Sequence, residues 1–157
     1  MRVHVPLYLR WADLDAYGHV NNSVMLRLLE EARIRLMWLP AGGHPADKTR
    51  IFDAEAGADS LTVVAQQHIE YKNVLPYLET PLDINVWVGR LGGSSVDIYY
   101  EVYGTPETPE QSVLYARAMS TLVVIDAATQ KPRRLRENER DALQSLREEP
   151  IAIGRSR

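Results

Sequence analysis

Twelve apolar residues stand in the run from Val20 to Leu39, and they limit what this chain can fold into more than any other feature. The stretch is too long for a strand and has the content of a buried helix. Val20, Val24, Met25, Leu28, Leu29, Ala32, Leu36 and Leu39 form a wide stripe, which Leu26, Ile34, Met37 and Trp38 widen further. The polar face that remains is narrow, with Arg27, Glu31 and Arg35 spaced for i,i+4 pairing. A helix with so little polar surface has to be wrapped by other elements. Pro40 and Gly42-Gly43 end it.

The rest of the chain reads as the wrapping. Val3, Val5, Leu7, Leu9 and Trp11 alternate with His4, Pro6, Tyr8 and Arg10, a strand pattern whose proline points to an edge or a strand start. Four more strands are expected over Leu61–Lys72, Leu82–Leu91, Ser94–Gly104 and Ser112–Ile125. Gly92-Gly93 and the Gly104–Gln111 segment look like hairpin connections, which makes the strands they join antiparallel neighbours. His44–Ser60 reads as a loop, Asn138–Glu148 as a short amphipathic helix, and Pro150 onward as a loose tail. The expected class is α+β: one antiparallel five-stranded sheet curled around a long central helix, in a single domain over residues 1–157. Its outer face would be covered in part by oligomerisation.

Bulk properties remove several function classes. With a formal charge of −3 the chain offers no field for nucleic acid. It contains no cysteine, which excludes disulfides, thiolate metal sites and a cysteine nucleophile. His4, His44 and His68 are scattered without ligand spacing, so no metal is expected. Neither a signal-peptide pattern nor a membrane-length apolar run is present, and a cytoplasmic protein without membrane attachment is the expectation.

The chemistry concentrates in Asp13-Leu14-Asp15-Ala16-Tyr17-Gly18-His19-Val20-Asn21-Asn22, directly before the helix. Unpaired N–H groups and the helix dipole attract negative charge there. A carboxylate beside an oxyanion-binding helix end supplies the parts needed to attack a carbonyl. Each residue also has a plainer reading. Asp15 fits an Asx-turn or a cap, Asn21 or Asn22 a simple N-cap, and His19 a structural hydrogen bond. Asp13 fits a structural tie to Arg10 or to the turn.

Arg10, Asp13, Asp15, Gly18, His19, Val20, Asn21 and Asn22 match the pattern Arg-x-x-Asp-x-Asp-x-x-Gly-His-Val-Asn-Asn. With it the chain resembles the hotdog-fold acyl-CoA thioesterases of the 4-hydroxybenzoyl-CoA thioesterase type. Glu30-Glu31-Ala32-Arg33 and Gly89-Arg90-Leu91-Gly92-Gly93-Ser94-Ser95 continue the likeness, which covers roughly Val5 to Ile125. The resemblance implies hydrolysis of an acyl-CoA to a free acid and CoA, without a cofactor beyond the coenzyme A of the substrate. It puts the catalytic carboxylate on Asp15, as general base or nucleophile. The oxyanion donor falls on the backbone N–H of Asn22, and His19 gains a supporting role.

Substrate contacts are expected from Tyr17, Gly18 and Asn21 and, across a subunit boundary, from Gly92, Gly93, Ser94 and Ser95. A homodimer or homotetramer follows. The basic run Lys131–Arg136 is either a solvated surface or a seat for CoA phosphates. Plant acyl-ACP thioesterases share the Asp-x-x-x-His-Val-Asn-Asn string but carry asparagine where Tyr17 stands. Hotdog hydratases space their Asp and His by five residues, whereas Asp15 and His19 are four apart. A non-catalytic module that binds acyl thioesters would use the same pocket.

Overall fold

The structure is a computed structural model that describes residues 1–38, 51–52, 57–105 and 112–154. Its elements are β1 (Val3–Leu7), a 3-10 turn (Trp11–Asp13), α1 (Asn22–Met37), β2 (Ser60–Tyr71), β3 (Leu82–Leu91), β4 (Ser95–Gly104), β5 (Leu114–Asp126) and α2 (Glu137–Ser145). The strands form one antiparallel sheet in the order β1-β3-β4-β5-β2. Both hairpin expectations hold, since β3 pairs with β4 and β4 with β5. Pro6 lies on an edge strand, as a residue without an N–H donor should.

Helix α1 packs on the inner face of the sheet through Met25, Leu28, Leu29, Ala32 and Met37, which repeat at helical spacing. It faces Ile84, Val86 and Val88 of β3, Ile98, Tyr100 and Val102 of β4, and the small Ala116 and Ala118 of β5. This is the expected helix-in-sheet arrangement, with a helix of 16 residues that is shorter than the run to Leu39. Leu39, Pro40, Gly42-Gly43 and most of the expected loop to Ser60 lie outside the described residues, as does most of Gly104–Gln111.

Two expectations about the surface are corrected. No Arg27–Glu31 or Glu31–Arg35 ion pair forms among the described residues. Arg35 instead donates to the Pro6 carbonyl at 3.3 Å, and Arg33 stands 3.6 Å from Glu30. The helix expected to Glu148 ends at Ser145, and the segment from Pro150, expected as a loose tail, is tied down as far as Gly154. Leu146 and Glu148 pair in parallel with Val88, in the space beyond the end of β1. The Trp87 indole then donates to the Glu149 carbonyl at 3.2 Å, and the Gly154 amide reaches Glu70 on the far edge strand at 2.8 Å. The chain's own C-terminal segment thus straps part of the outer face, over the stacked rings of Trp87 and Tyr99. Gly89 permits that stack, because a Cβ there would collide with the Tyr99 ring.

Candidate active site

The turn before α1 is built by its own polar groups. Asp13 is 2% exposed, and its carboxylate takes the Arg10 amide at 2.7 Å and the Arg10 guanidinium at 3.0 Å. Its carbonyl takes the Asn21 amide at 3.0 Å, so Asp13 ties Arg10 to the helix start, as the structural reading expected. Gly18, at φ +76°, turns the chain in the left-handed region where a side chain is disfavoured. Asn21 is the N-cap: its Oδ1 accepts the Ser23 amide at 2.8 Å and the Ser23 hydroxyl at 2.7 Å.

Asp15 lies in the same turn, six residues ahead of the cap. Its Oδ1 accepts the amides of Tyr17 at 2.8 Å and His19 at 3.3 Å, an Asx-turn that fixes the carboxylate in place. Its Oδ2 has no hydrogen-bond partner among the described residues. His19 is joined to Asp15 through its main chain, since the Asp15 amide also donates to the His19 carbonyl at 2.8 Å.

The first turn of α1 supplies the complementary group. The Asn21 amide is spent on Asp13 and the Ser23 amide on the cap, whereas the Asn22 amide has no acceptor among the described residues. Asp15, His19, Asn22 and Met25 line one wall of a cleft of about 390 Å³. An acidic oxygen and a free helix-end donor on one cleft can act together on a polarised carbonyl.

Tyr71, Lys72, Asn73, Val74 and Leu75 form the opposite wall, which the sequence did not single out. The Lys72 amide and the Asn73 side chain bond to the carbonyls of Tyr115 and Leu114, and the Val20 amide donates to Leu75. Tyr71 donates its phenol to the Asn22 carbonyl at 3.0 Å. Partial burial pushes that phenol above its ordinary pKa, so it is a donor at neutral pH. The one sequence signal for this wall is the polar-aromatic cluster Glu70-Tyr71-Lys72-Asn73 at a strand end.

The expected substrate contacts distribute differently. Tyr17 is 84% exposed, Gly18 shapes the turn and Asn21 is committed to capping, so none of the three lines the cleft. Gly92, Gly93, Ser94 and Ser95 lie at the other end of the sheet. Ser95 is level with Val123 and Val63, whereas Tyr71 is level with Ala116. Seven residues of β5 separate those positions, about 23 Å. One chain does not bring the hairpin to the cleft. The basic run is built largely into the fold: Arg133 grips Glu139 at 2.7 and 2.9 Å, and Arg136 pairs with Asp59 at 2.6 Å. Trp11 is 75% exposed, edge-on to Tyr77 at 5.4 Å. A wider depression of about 680 Å³ beside Arg90 and Arg147 lies away from Asp15. Among the described residues no group of three or more His, Asp or Glu is arranged to hold a metal, and no helix is long and apolar enough to cross a membrane.

A five-stranded sheet curled on one helix, with a carboxylate turn at the helix start, defines a hotdog domain of the thioesterase type. The family model of the thioesterase-like superfamily matches residues 9–143, and the chain belongs to that superfamily. A thioesterase from Thermus thermophilus, solved with coenzyme A and zinc, is 26% identical with a TM-score of 0.65, over 90% of this chain and 96% of that one. The DHNA-CoA thioesterase of Staphylococcus aureus is 18% identical with a TM-score of 0.71, over 92% and 90%, a likeness of fold alone. The uncharacterized protein YsmA of Bacillus subtilis strain 168 is 29% identical over 93 residues, 59% of this chain. The match spans about half of that relative, 54% of its length.

Proposed function

We propose that the protein hydrolyses an acyl-CoA thioester to a free acid and CoA, with Asp15 and Asn22 as its working pair. The observation that carries this reading is their shared cleft, where a fixed carboxylate meets the Asn22 amide, which the Asp13 tie and the Asn21 cap leave unused. The thioester carbonyl oxygen accepts the Asn22 N–H, and the helix end stabilises the oxyanion as it forms. In the general-base route, water adds to the carbonyl carbon while Asp15 takes its proton. The C–S bond then breaks, and the CoA thiolate leaves and recovers the proton. In the nucleophilic route, Asp15 itself adds, expels the thiolate and forms a mixed anhydride that water opens. A thiolate is a good leaving group, so His19 serves to position the Asp15 turn and the attacking water. The Thermus thermophilus relative, solved with coenzyme A, supports the choice of CoA as the carrier.

A homodimer completes the site. The edge strand β2 has 12 residues and presents Leu61, Val63, Val64 and Tyr71, each more than 40% exposed. Such an edge is a template for pairing, and two copies pair with two-fold symmetry. Antiparallel pairing of the two β2 strands sets the Leu61 end of one beside the Tyr71 end of the other. The partner's Gly92–Ser95 hairpin, at its Leu61 end, then comes to the cleft end of this chain. Two such dimers can build a tetramer. A cytoplasmic location suits a site that needs only water and substrate.

Free-thiol release from benzoyl-, hydroxybenzoyl-, phenylacetyl- and straight-chain acyl-CoAs tests the activity. Turnover supports the hydrolase. Binding without turnover across the panel would make the protein an acyl-thioester binding module.

A further inference from the structure

An attacking water has to be aimed as well as deprotonated, and Asp15 Oδ2 takes only one of its two hydrogens. That oxygen is the free end of a carboxylate whose Oδ1 is fixed by the Tyr17 and His19 amides. Without a second acceptor on the cleft, a water bound there turns about a single bond, and its lone pair is not directed.

The opposite wall carries three polar side chains. The Lys72 ammonium has donors only and pairs with Glu70 at 2.6 Å. The Asn73 side chain is tied to β5, donating to the Leu114 carbonyl at 2.9 Å. Tyr71 differs from both. Its phenol is protonated at neutral pH, and its one hydrogen goes to the Asn22 carbonyl at 3.0 Å. With the donor engaged, the phenol oxygen is left as an acceptor on the cleft, and donating strengthens it in that role. The N–H and C=O of one residue lie about 3–4 Å apart, so Tyr71 Oη stands within about 7 Å of the Asn22 nitrogen. That span takes a carbonyl group on the N–H with a water beside it.

We propose that Tyr71 is a further catalytic residue, whose phenol oxygen accepts the second hydrogen of the attacking water while Asp15 acts as general base on the first. This rests on the hydrolase reading of the cleft. The two-point hold aims the water's lone pair at the thioester carbon. The water O–H bond breaks toward Asp15 Oδ2 as its oxygen adds to that carbon. The C–S bond then breaks, and the thiolate recovers the proton from Asp15. Tyr71 exchanges no proton and keeps its bond to Asn22.

The test is pre-steady-state thiol release from the best acyl-CoA by the wild type, Tyr71→Phe, Asn22→Pro and the double variant. Phenylalanine keeps the ring, and proline at the first helical position removes the Asn22 N–H. Because water adds before the thiolate leaves, Tyr71→Phe is expected to slow the first turnover and kcat alike by about tenfold or more, with KM nearly unchanged. The same loss should recur in the Asn22→Pro background, since the phenol acts on water and not through the N–H. A burst from Tyr71→Phe, one thiol per site at the wild-type rate and then slow turnover, overturns the proposal, because the thiolate then leaves before water acts. An unchanged kcat overturns it too, as does a loss that disappears beside Asn22→Pro. Should the double variant fail to fold, the burst and kcat of Tyr71→Phe decide. If the wild type releases no thiol from any acyl-CoA, the hydrolase reading itself fails and this proposal falls with it.

Discussion

Tyr71 at the end of β2 donates its phenol to the main-chain carbonyl of Asn22, across 3.0 Å and 49 residues of sequence. One bond thus sets the first turn of α1 against the opposite wall of the cleft. Tyr71→Phe removes it while keeping the ring. The expected cost is about 1 kcal/mol, a fall of roughly 2–4 °C in melting temperature by calorimetry.

The role given to Asn22 belongs to its backbone, and that separates two substitutions. Asn22→Ala keeps the N–H and is expected to retain most activity. Asn22→Pro deletes the N–H at the first helical position, where proline is well tolerated. Asn21, at φ −61° and ψ 140°, already has the conformation a following proline requires. The proline variant should fold, melt near the wild type and lose about 10²–10³ in kcat. Similar rates for the two variants would remove the amide from the mechanism.

The exposed edge of β2 predicts a concentration-dependent dimer. Val64→Lys puts a charge on that edge, at a side chain that is 43% exposed. Analytical ultracentrifugation should show the wild type as a dimer or larger and the variant shifted to monomer, with hydrolysis reduced alongside.

Acid stability should depend on Glu139. Burial raises its pKa, but the Arg133 ion pair and the Arg136 amide outweigh that and hold it below the ordinary value of 4.5. The folded state therefore binds fewer protons than the unfolded chain in that range. The stabilisation is full above the unfolded pKa and is lost as pH falls through the folded one. Melting temperature should drop more steeply below about pH 4.5 for the wild type than for Glu139→Gln, which starts lower and carries no such proton. Parallel curves would contradict the assignment.

The extent to which the sequence foretold this molecule follows the range of the forces involved. Period-two alternation in β3 and β4 and the glycines between them depend on neighbours, and Leu82–Leu91 was placed to the residue. Asp13, Asp15 and the Asn21 cap were legible for the same reason, because their bonds close within a few residues. The pairing of β2 with β5 was not legible, since nothing local says which edge a strand joins. Nor was the strap over Trp87, whose anchors are backbone carbonyls that carry no side-chain signature. The Tyr71–Leu75 wall was missed because it becomes a wall only when β2 folds back beside the helix start.

The most direct test of the central claim is turnover by Asp15→Asn. An asparagine Oδ1 can still accept the Tyr17 and His19 amides, so the turn and the melting temperature should be kept. Thiol release from the best acyl-CoA should fall by about 10³ or more, since neither a base nor a nucleophile remains. Near wild-type turnover by this folded variant would contradict the account.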